Sequence, residues 1–109
     1  MDGTDDIIEQ LEYDRREGNT NGRKLTVFSL STCGFCKRAL SFLDKHGFSY
    51  RFIHLDQIEP ERKRQVKDVL RTRFNISPIF PVLVVDDKRA LTGFTEMQWR
   101  KELQLPTEE

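Results

Sequence analysis

The feature that most constrains this chain is a pair of cysteines separated by two residues, in the segment Cys33-Gly34-Phe35-Cys36. Residues 24–30, which precede this segment, supply β-favouring apolar side chains with partial alternation and predict a strand. After Cys33, apolar residues recur at steps of three and four as far as His46, and this spacing predicts an amphipathic helix. The two cysteines are therefore expected at the junction of a strand and a helix.

Strands and helices also alternate along the rest of the chain. The pattern predicts strands over 50–55, 82–85 and 89–92, the last two as an antiparallel pair, and helices over 59–74 and 94–103. Ile7, Ile8 and Leu11 predict an extra N-terminal helix over 5–17. This order indicates an α/β fold: a mixed four-stranded sheet with helices on both faces.

Chain length and charge limit the number of domains and the kinds of partner that we expect. The chain has 109 residues, enough for one domain, and we divide it into an N-terminal arm with its linker over 1–22, a domain over 23–104 and a flexible tail over 105–109. Eighteen Lys and Arg balance 18 Asp and Glu, so neither nucleic acid nor a membrane is an expected partner. No apolar run approaches the roughly 20 residues that span a bilayer, and we expect a cytoplasmic monomer.

The close spacing of the cysteines indicates reactivity. A disulfide between them would close too short a loop to stabilise a fold appreciably. A structural zinc needs four ligands, and His46 and His54 lie apart in sequence, so we expect no metal site and treat both histidines as ordinary surface or strand positions. Free N–H groups at the helix start, with Lys37 and Arg38 one turn on, would favour the thiolate of Cys33.

The two cysteines are predicted to have different roles. Cys33 lies at the start of the helix and is expected to attack a substrate disulfide. Cys36 shares an apolar stripe with Leu40 and Leu43, so it is expected to face the core and remain a thiol. Cys36 would then displace the product and leave a Cys33–Cys36 disulfide for an external reductant.

Three motifs together resemble the glutaredoxin branch of the thioredoxin superfamily over residues 24–103. They are Cys33-Gly34-Phe35-Cys36, Phe80-Pro81 before the third strand and Thr92-Gly93-Phe94 after the fourth. The resemblance implies a thioredoxin-like fold, a cis peptide bond before Pro81, and an enzyme that reduces protein disulfides or glutathione mixed disulfides. It implies catalytic roles for Cys33 and Cys36 and substrate-binding positions at Thr32, Phe35, Phe80, Pro81, Gly93 and Phe94.

The resemblance leaves the electron donor open. Glutaredoxins that bind glutathione carry lysine or arginine three residues before the first cysteine, where this chain has Leu30. The pair Gly34-Phe35 also resembles NrdH-type redoxins, which are reduced by thioredoxin reductase. The resemblance therefore implies no required cofactor and a reductant that is either glutathione or thioredoxin reductase. Gly34-Phe35 is similar as well to monothiol glutaredoxins that bridge an iron–sulfur cluster between two chains, so a 2Fe–2S carrier is the alternative function.

Overall fold

Five strands form one mixed sheet in the computed structural model, which describes residues 6–19 and 22–105. The strands are β1 (Asp14–Arg16), β2 (Leu25–Ser29), β3 (Tyr50–His54), β4 (Val82–Val85) and β5 (Arg89–Thr92). The helices are α1 (Gly34–Lys45), α2 (Pro60–Phe74) and α3 (Glu96–Glu102), and a short 3-10 turn spans Leu55–Gln57. Apart from the N-terminal arm, the predicted strands and helices are confirmed to within two residues at each end.

The strand order β1-β3-β2-β4-β5 brings the ends of several strands to one edge of the sheet. β2 and β3 are parallel, with Ser29 opposite His54. β4 runs antiparallel to both of its neighbours, so that Val82 lies opposite Phe28 of β2 and Thr92 of β5. The last residues of β2, β3 and β5 therefore share an edge with the first residue of β4, and α1 begins beside this edge.

The helices cover both faces of the sheet, as the sequence predicts. Alternate residues of a strand point to opposite faces, and each face carries its own apolar cluster. On one face, side chains of α1 and α3 pack on the sheet; the buried members include Val27, Leu40, Leu43, Phe52, Leu83 and Trp99. On the other face α2 supplies the cover; the buried members include Phe28, Ile53, Val66, Leu70 and Val82. None of the helices within residues 6–19 and 22–105 is long and apolar enough to cross a membrane.

The predicted N-terminal helix over 5–17 is wrong where the structure describes it. Residues 7–10 form a turn, and Asp14–Arg16 pair antiparallel with β3, which makes the sheet five-stranded rather than four-stranded. Ile8 and Leu11, whose spacing resembled a helix, are instead buried in the cluster beneath α2. The physical reason is the outer edge of β3, whose backbone N–H and C=O groups gain partners when the arm pairs with them.

Side chains also fix the arm to the domain. Arg51 of β3 is 6% exposed and donates to Thr26 Oγ1 at 2.8 Å and to Glu9 Oε2 at 2.9 Å. Its guanidinium also stacks on Tyr13, at 4.1 Å from the ring centroid. Nearer the start of the described arm, Asp6 accepts hydrogen bonds from Arg73 of α2 at 3.1 Å. The arm is therefore part of the folded unit.

The end of the arm lies against the loop that follows α1. Gly47, with φ of 75°, ends α1, and its N–H donates to Asp44 O while the next N–H donates to Leu43 O. The N–H of Asn19 donates to Gly47 O at 2.7 Å. A Cβ atom on Gly18 would lie 2.3 Å from the same oxygen, so only glycine fits at this close approach. Residues 20–21 of the predicted linker and 106–109 of the predicted tail lie outside the described residues.

Candidate active site

Cys33 is the N-cap residue of α1, with an extended backbone (φ −91°, ψ 120°). Its Sγ accepts a hydrogen bond from the backbone N–H of Cys36 at 3.2 Å, and its own N–H donates to Leu30 O at 3.2 Å. The side chain is partly exposed. The first turn of the helix thus directs a backbone donor at a sulfur that solvent can reach, an arrangement that stabilises negative charge.

Cys36 differs from Cys33 in its surroundings. It is fully buried, which confirms its predicted place in the core, and its Sγ accepts the N–H of Leu30 at 3.4 Å. Burial, with a smaller effect from hydrogen bonding to Cys33, raises the pKa of Cys36 to about 11. Both side chains are free thiols in this structure. An accessible sulfur and a buried, protonated sulfur therefore stand side by side.

The segment before β4 lies at the same sheet edge as the cysteines. The Phe80–Pro81 peptide bond is cis, as the resemblance implies, and Pro81 is buried. Gly93, with φ of 70°, donates its N–H to Ile79 O at 2.8 Å. Val82, the first residue of β4, pairs with both β2 and β5, so Phe80 and Pro81 just before it lie at the sheet edge where α1 begins. The hydrogen bond from Gly93 to Ile79 holds Gly93, which follows β5, at the same edge.

The remaining predicted site residues have different surroundings. Thr32 is exposed in the loop before Cys33. Phe35 is 57% exposed, and the guanidinium of Arg38 lies 5.5 Å from its ring centroid. Phe94 is only partly exposed, because its ring packs among the aromatic side chains between α1 and α3. Those contacts place Phe94 at the margin of the core, and its role in substrate binding stays a prediction.

The sequence alone assigned no functional role to two polar residues of the site, Ser29 and His54. Ser29 is fully buried at the end of β2, and side-chain hydrogen bonding with Ser29 acts to lower the pKa of Cys36, against the larger effect of burial. The Ser29 Oγ lies 3.1 Å from Nδ1 of His54, a residue predicted to be an ordinary surface or strand position. Both residues stand near the ends of predicted strands, and that position was the available signal. Their exact pairing depends on the register of β2 and β3, and spacing along the chain does not reveal it.

Metal ligation has no evident place within residues 6–19 and 22–105. No group of three or more His, Cys, Asp or Glu side chains there is arranged to hold a metal ion. The chemistry that the described site offers is that of the two thiols and the polar groups that contact them.

A profile of the family named Glutaredoxin matches residues 25–90, which include both cysteines, Pro81, the strands β2, β3 and β4, and the start of β5. The chain belongs to the glutaredoxin family. The match confirms the family that the three motifs indicated, and it supports a function of the thiol–disulfide oxidoreductase type. Among curated proteins, no significantly similar sequence was found.

Solved structures of glutaredoxins are similar to this one. A glutaredoxin from Methanosarcina mazei Go1 superimposes with a TM-score of 0.71 at 30% identity, covering 84% of this chain and 86% of that one. Methanoredoxin from Methanosarcina acetivorans gives 0.66 at 34% identity, covering 73% and 83%. The glutaredoxin grx-1 from Archaeoglobus fulgidus gives 0.64 at 26% identity, covering 73% and 85%. These similarities confirm the thioredoxin-like fold.

Proposed function

We propose that this member of the glutaredoxin family is a dithiol oxidoreductase that reduces protein disulfides or glutathione mixed disulfides. Cys33 acts as the nucleophile and Cys36 as the resolving thiol. The observation that carries the proposal is the contrast between the two sulfurs. Cys33 is partly exposed and accepts an N–H at the start of α1, whereas Cys36 is buried with a pKa raised to about 11.

The reaction takes two exchanges. The Cys33 thiolate attacks one sulfur of a substrate disulfide, the substrate S–S bond breaks, and the departing thiolate takes a proton from water. Cys36 then loses its proton and attacks Cys33 Sγ, which releases the second substrate thiol and leaves a Cys33–Cys36 disulfide. An external reductant returns two electrons and two protons to the pair.

The surface around Cys33 supports a polypeptide substrate. Thr32 and Phe35 flank the sulfur and are exposed, and Phe35 offers an apolar ring to a partner. Phe80 precedes β4 at the same sheet edge, where its backbone would pair with an extended substrate segment. Gly93, whose N–H donates to Ile79 O, lies at the same edge and has no side chain to obstruct a substrate.

The reductant is the finer part of the proposal, and an NADPH-coupled assay identifies it. One reaction contains glutathione with glutathione reductase and the other thioredoxin reductase, each with a glutathione mixed disulfide and with a protein disulfide as substrate. We expect NADPH oxidation in at least one reaction. Leu30 stands where a cation would bind a glutathione carboxylate, so a higher rate with thioredoxin reductase would agree with that substitution.

Two variants test the assigned roles in the same assay. Cys33→Ser is expected to abolish all activity. Cys36→Ser is expected to abolish reduction of the protein disulfide and to spare deglutathionylation, because glutathione itself resolves that mixed disulfide. Loss of both activities in Cys36→Ser when the wild type is active with glutathione, or no NADPH oxidation by the wild type, would contradict the proposal. The 2Fe–2S carrier stays a prediction from the sequence, and anaerobic reconstitution yielding neither visible absorbance nor a dimer would remove it.

A further inference from the structure

The resolving exchange requires a buried thiol to lose its proton. Cys36 has no exposed surface, and its pKa of about 11 leaves about one molecule in 10⁴ as thiolate at pH 7. A proton acceptor within hydrogen-bond reach of such a thiol would accelerate the exchange. The contacts of Cys36 therefore show where its proton goes.

Ser29 is the side chain that links Cys36 to the outside of the sheet. Its hydroxyl lies 3.1 Å from His54 Nδ1 and makes a weaker contact of 3.4 Å with Leu30 O, and hydrogen bonding with Ser29 acts to lower the pKa of Cys36. Ser29 and His54 are register partners in parallel strands, so both side chains lie on the face that α1 covers. The Ser29 hydroxyl therefore lies between the thiol and the imidazole.

His54 connects these groups to the surface. His54 is partly exposed and its ring packs against Phe52 at 5.5 Å between centroids, and the residue borders a surface cavity. The charged groups around it are Asp56, which interacts with it electrostatically, and the cavity residues Glu12, Asp14 and Arg62. Asp56 is held in place by the N–H of Ser31 at 2.9 Å.

We infer that Ser29 and His54 relay the proton of Cys36 to solvent during the resolving exchange, an inference that rests on the proposed function. Cys36 donates its proton to Ser29 Oγ while the Ser29 hydroxyl donates its own to His54 Nδ1. The imidazolium then gives up a proton to water. The Cys36 thiolate attacks Cys33 Sγ and the bond to the substrate sulfur breaks, so one disulfide replaces another and no oxidant is consumed. Ser29 touches the reacting thiol, and His54 is a positioning residue that acts through it.

Stopped-flow reaction with 5,5′-dithiobis(2-nitrobenzoate) separates the two exchanges. Attack by Cys33 releases one coloured thiolate at a rate that rises with reagent concentration. Resolution by Cys36 releases the second coloured thiolate at a rate that does not depend on reagent concentration. Because this thiolate is stable as an anion, it needs no proton to leave, and its protonation does not affect the measured rate. The comparison uses wild type, Ser29→Ala and His54→Asn. Asparagine keeps an acceptor oxygen near the position of Nδ1 but takes up no proton.

The relay predicts an effect on the second phase alone. In Ser29→Ala and His54→Asn we expect the second phase to slow about tenfold or more at neutral pH, and the first phase to be unchanged. The wild-type second phase is expected to depend less steeply on pH than that of His54→Asn. In His54→Asn the rate is expected to keep rising toward the pKa of Cys36, because only hydroxide then removes the proton.

Each other outcome has a defined meaning. A second phase in His54→Asn with the wild-type rate and pH profile would overturn the relay, as would a slow Ser29→Ala beside an unaffected His54→Asn. Equal slowing of both phases would show a structural role and would also overturn it. A wild type that releases no thiolate, or only the first equivalent, would instead refute the proposed function itself.

Discussion

The pKa of Cys36 gives a quantitative prediction for alkylation. Iodoacetamide reacts with thiolates, and a thiol with a pKa of about 11 is ionised in about one molecule in 10⁴ at pH 7. Free cysteine, with a pKa of about 8.5, is ionised to about 3%. Cys36 is therefore expected to react roughly 300-fold more slowly than free cysteine from ionisation alone, and its full burial slows it further.

Peptide mass spectrometry after timed labelling measures this rate at each cysteine. Cys33 is expected to be labelled first, and labelling of Cys36 is expected to rise about tenfold per pH unit up to its pKa, because a raised pKa keeps the thiol protonated at neutral pH. The same protein in denaturant is the control, where both cysteines should react alike. Labelling of Cys36 in the folded protein at the rate of free cysteine at pH 7 would refute the reasoning.

Three further predictions concern the N-terminal arm. Gly18→Ala is expected to lower the free energy of unfolding by more than about 1 kcal/mol in denaturant titrations, since its Cβ would meet Gly47 O, whereas Gly22→Ala, with nothing within 4 Å, should have almost no effect. Leu11→Ala is expected to reduce the same free energy by about 2–5 kcal/mol, and a change below about 0.5 kcal/mol would mean that the arm does not pack. Hydrogen bonding to Arg51 lowers the pKa of Glu9, so the stability that Glu9→Gln removes should be present at pH 7 and be lost as the pH falls through that lowered pKa; a pH-independent difference would contradict this.

In the N-terminal arm, the sequence pattern identified the buried side chains but not the secondary structure. Ile8 and Leu11 are spaced as on one face of a helix, and both are buried, so the pattern correctly identified the side chains that reach the core. It did not reveal that the open edge of β3 lies within reach, where Asp14 pairs with Phe52. A partner strand that is distant in sequence outweighed local helical preference.

The candidate site also contains both residues that local sequence locates and residues that it does not. The positions of Cys33 and Cys36 follow from a strand that ends where an amphipathic helix begins, and both are local features. Ser29 and His54 meet only because β2 and β3 pair in one register, 25 residues apart in the chain. A one-residue shift of that register would send the two side chains to opposite faces, so local sequence could not specify their contact.

The most direct test of the central claim is to trap the intermediate. Reduced wild type and Cys36→Ser are mixed with glutathione disulfide or a protein disulfide, quenched with acid and analysed by non-reducing peptide mass spectrometry. Cys36→Ser is expected to accumulate a mixed disulfide on Cys33, and the wild type is expected to finish with a Cys33–Cys36 disulfide. No adduct on Cys33 in Cys36→Ser, together with a wild type whose two cysteines remain free thiols, would contradict the account.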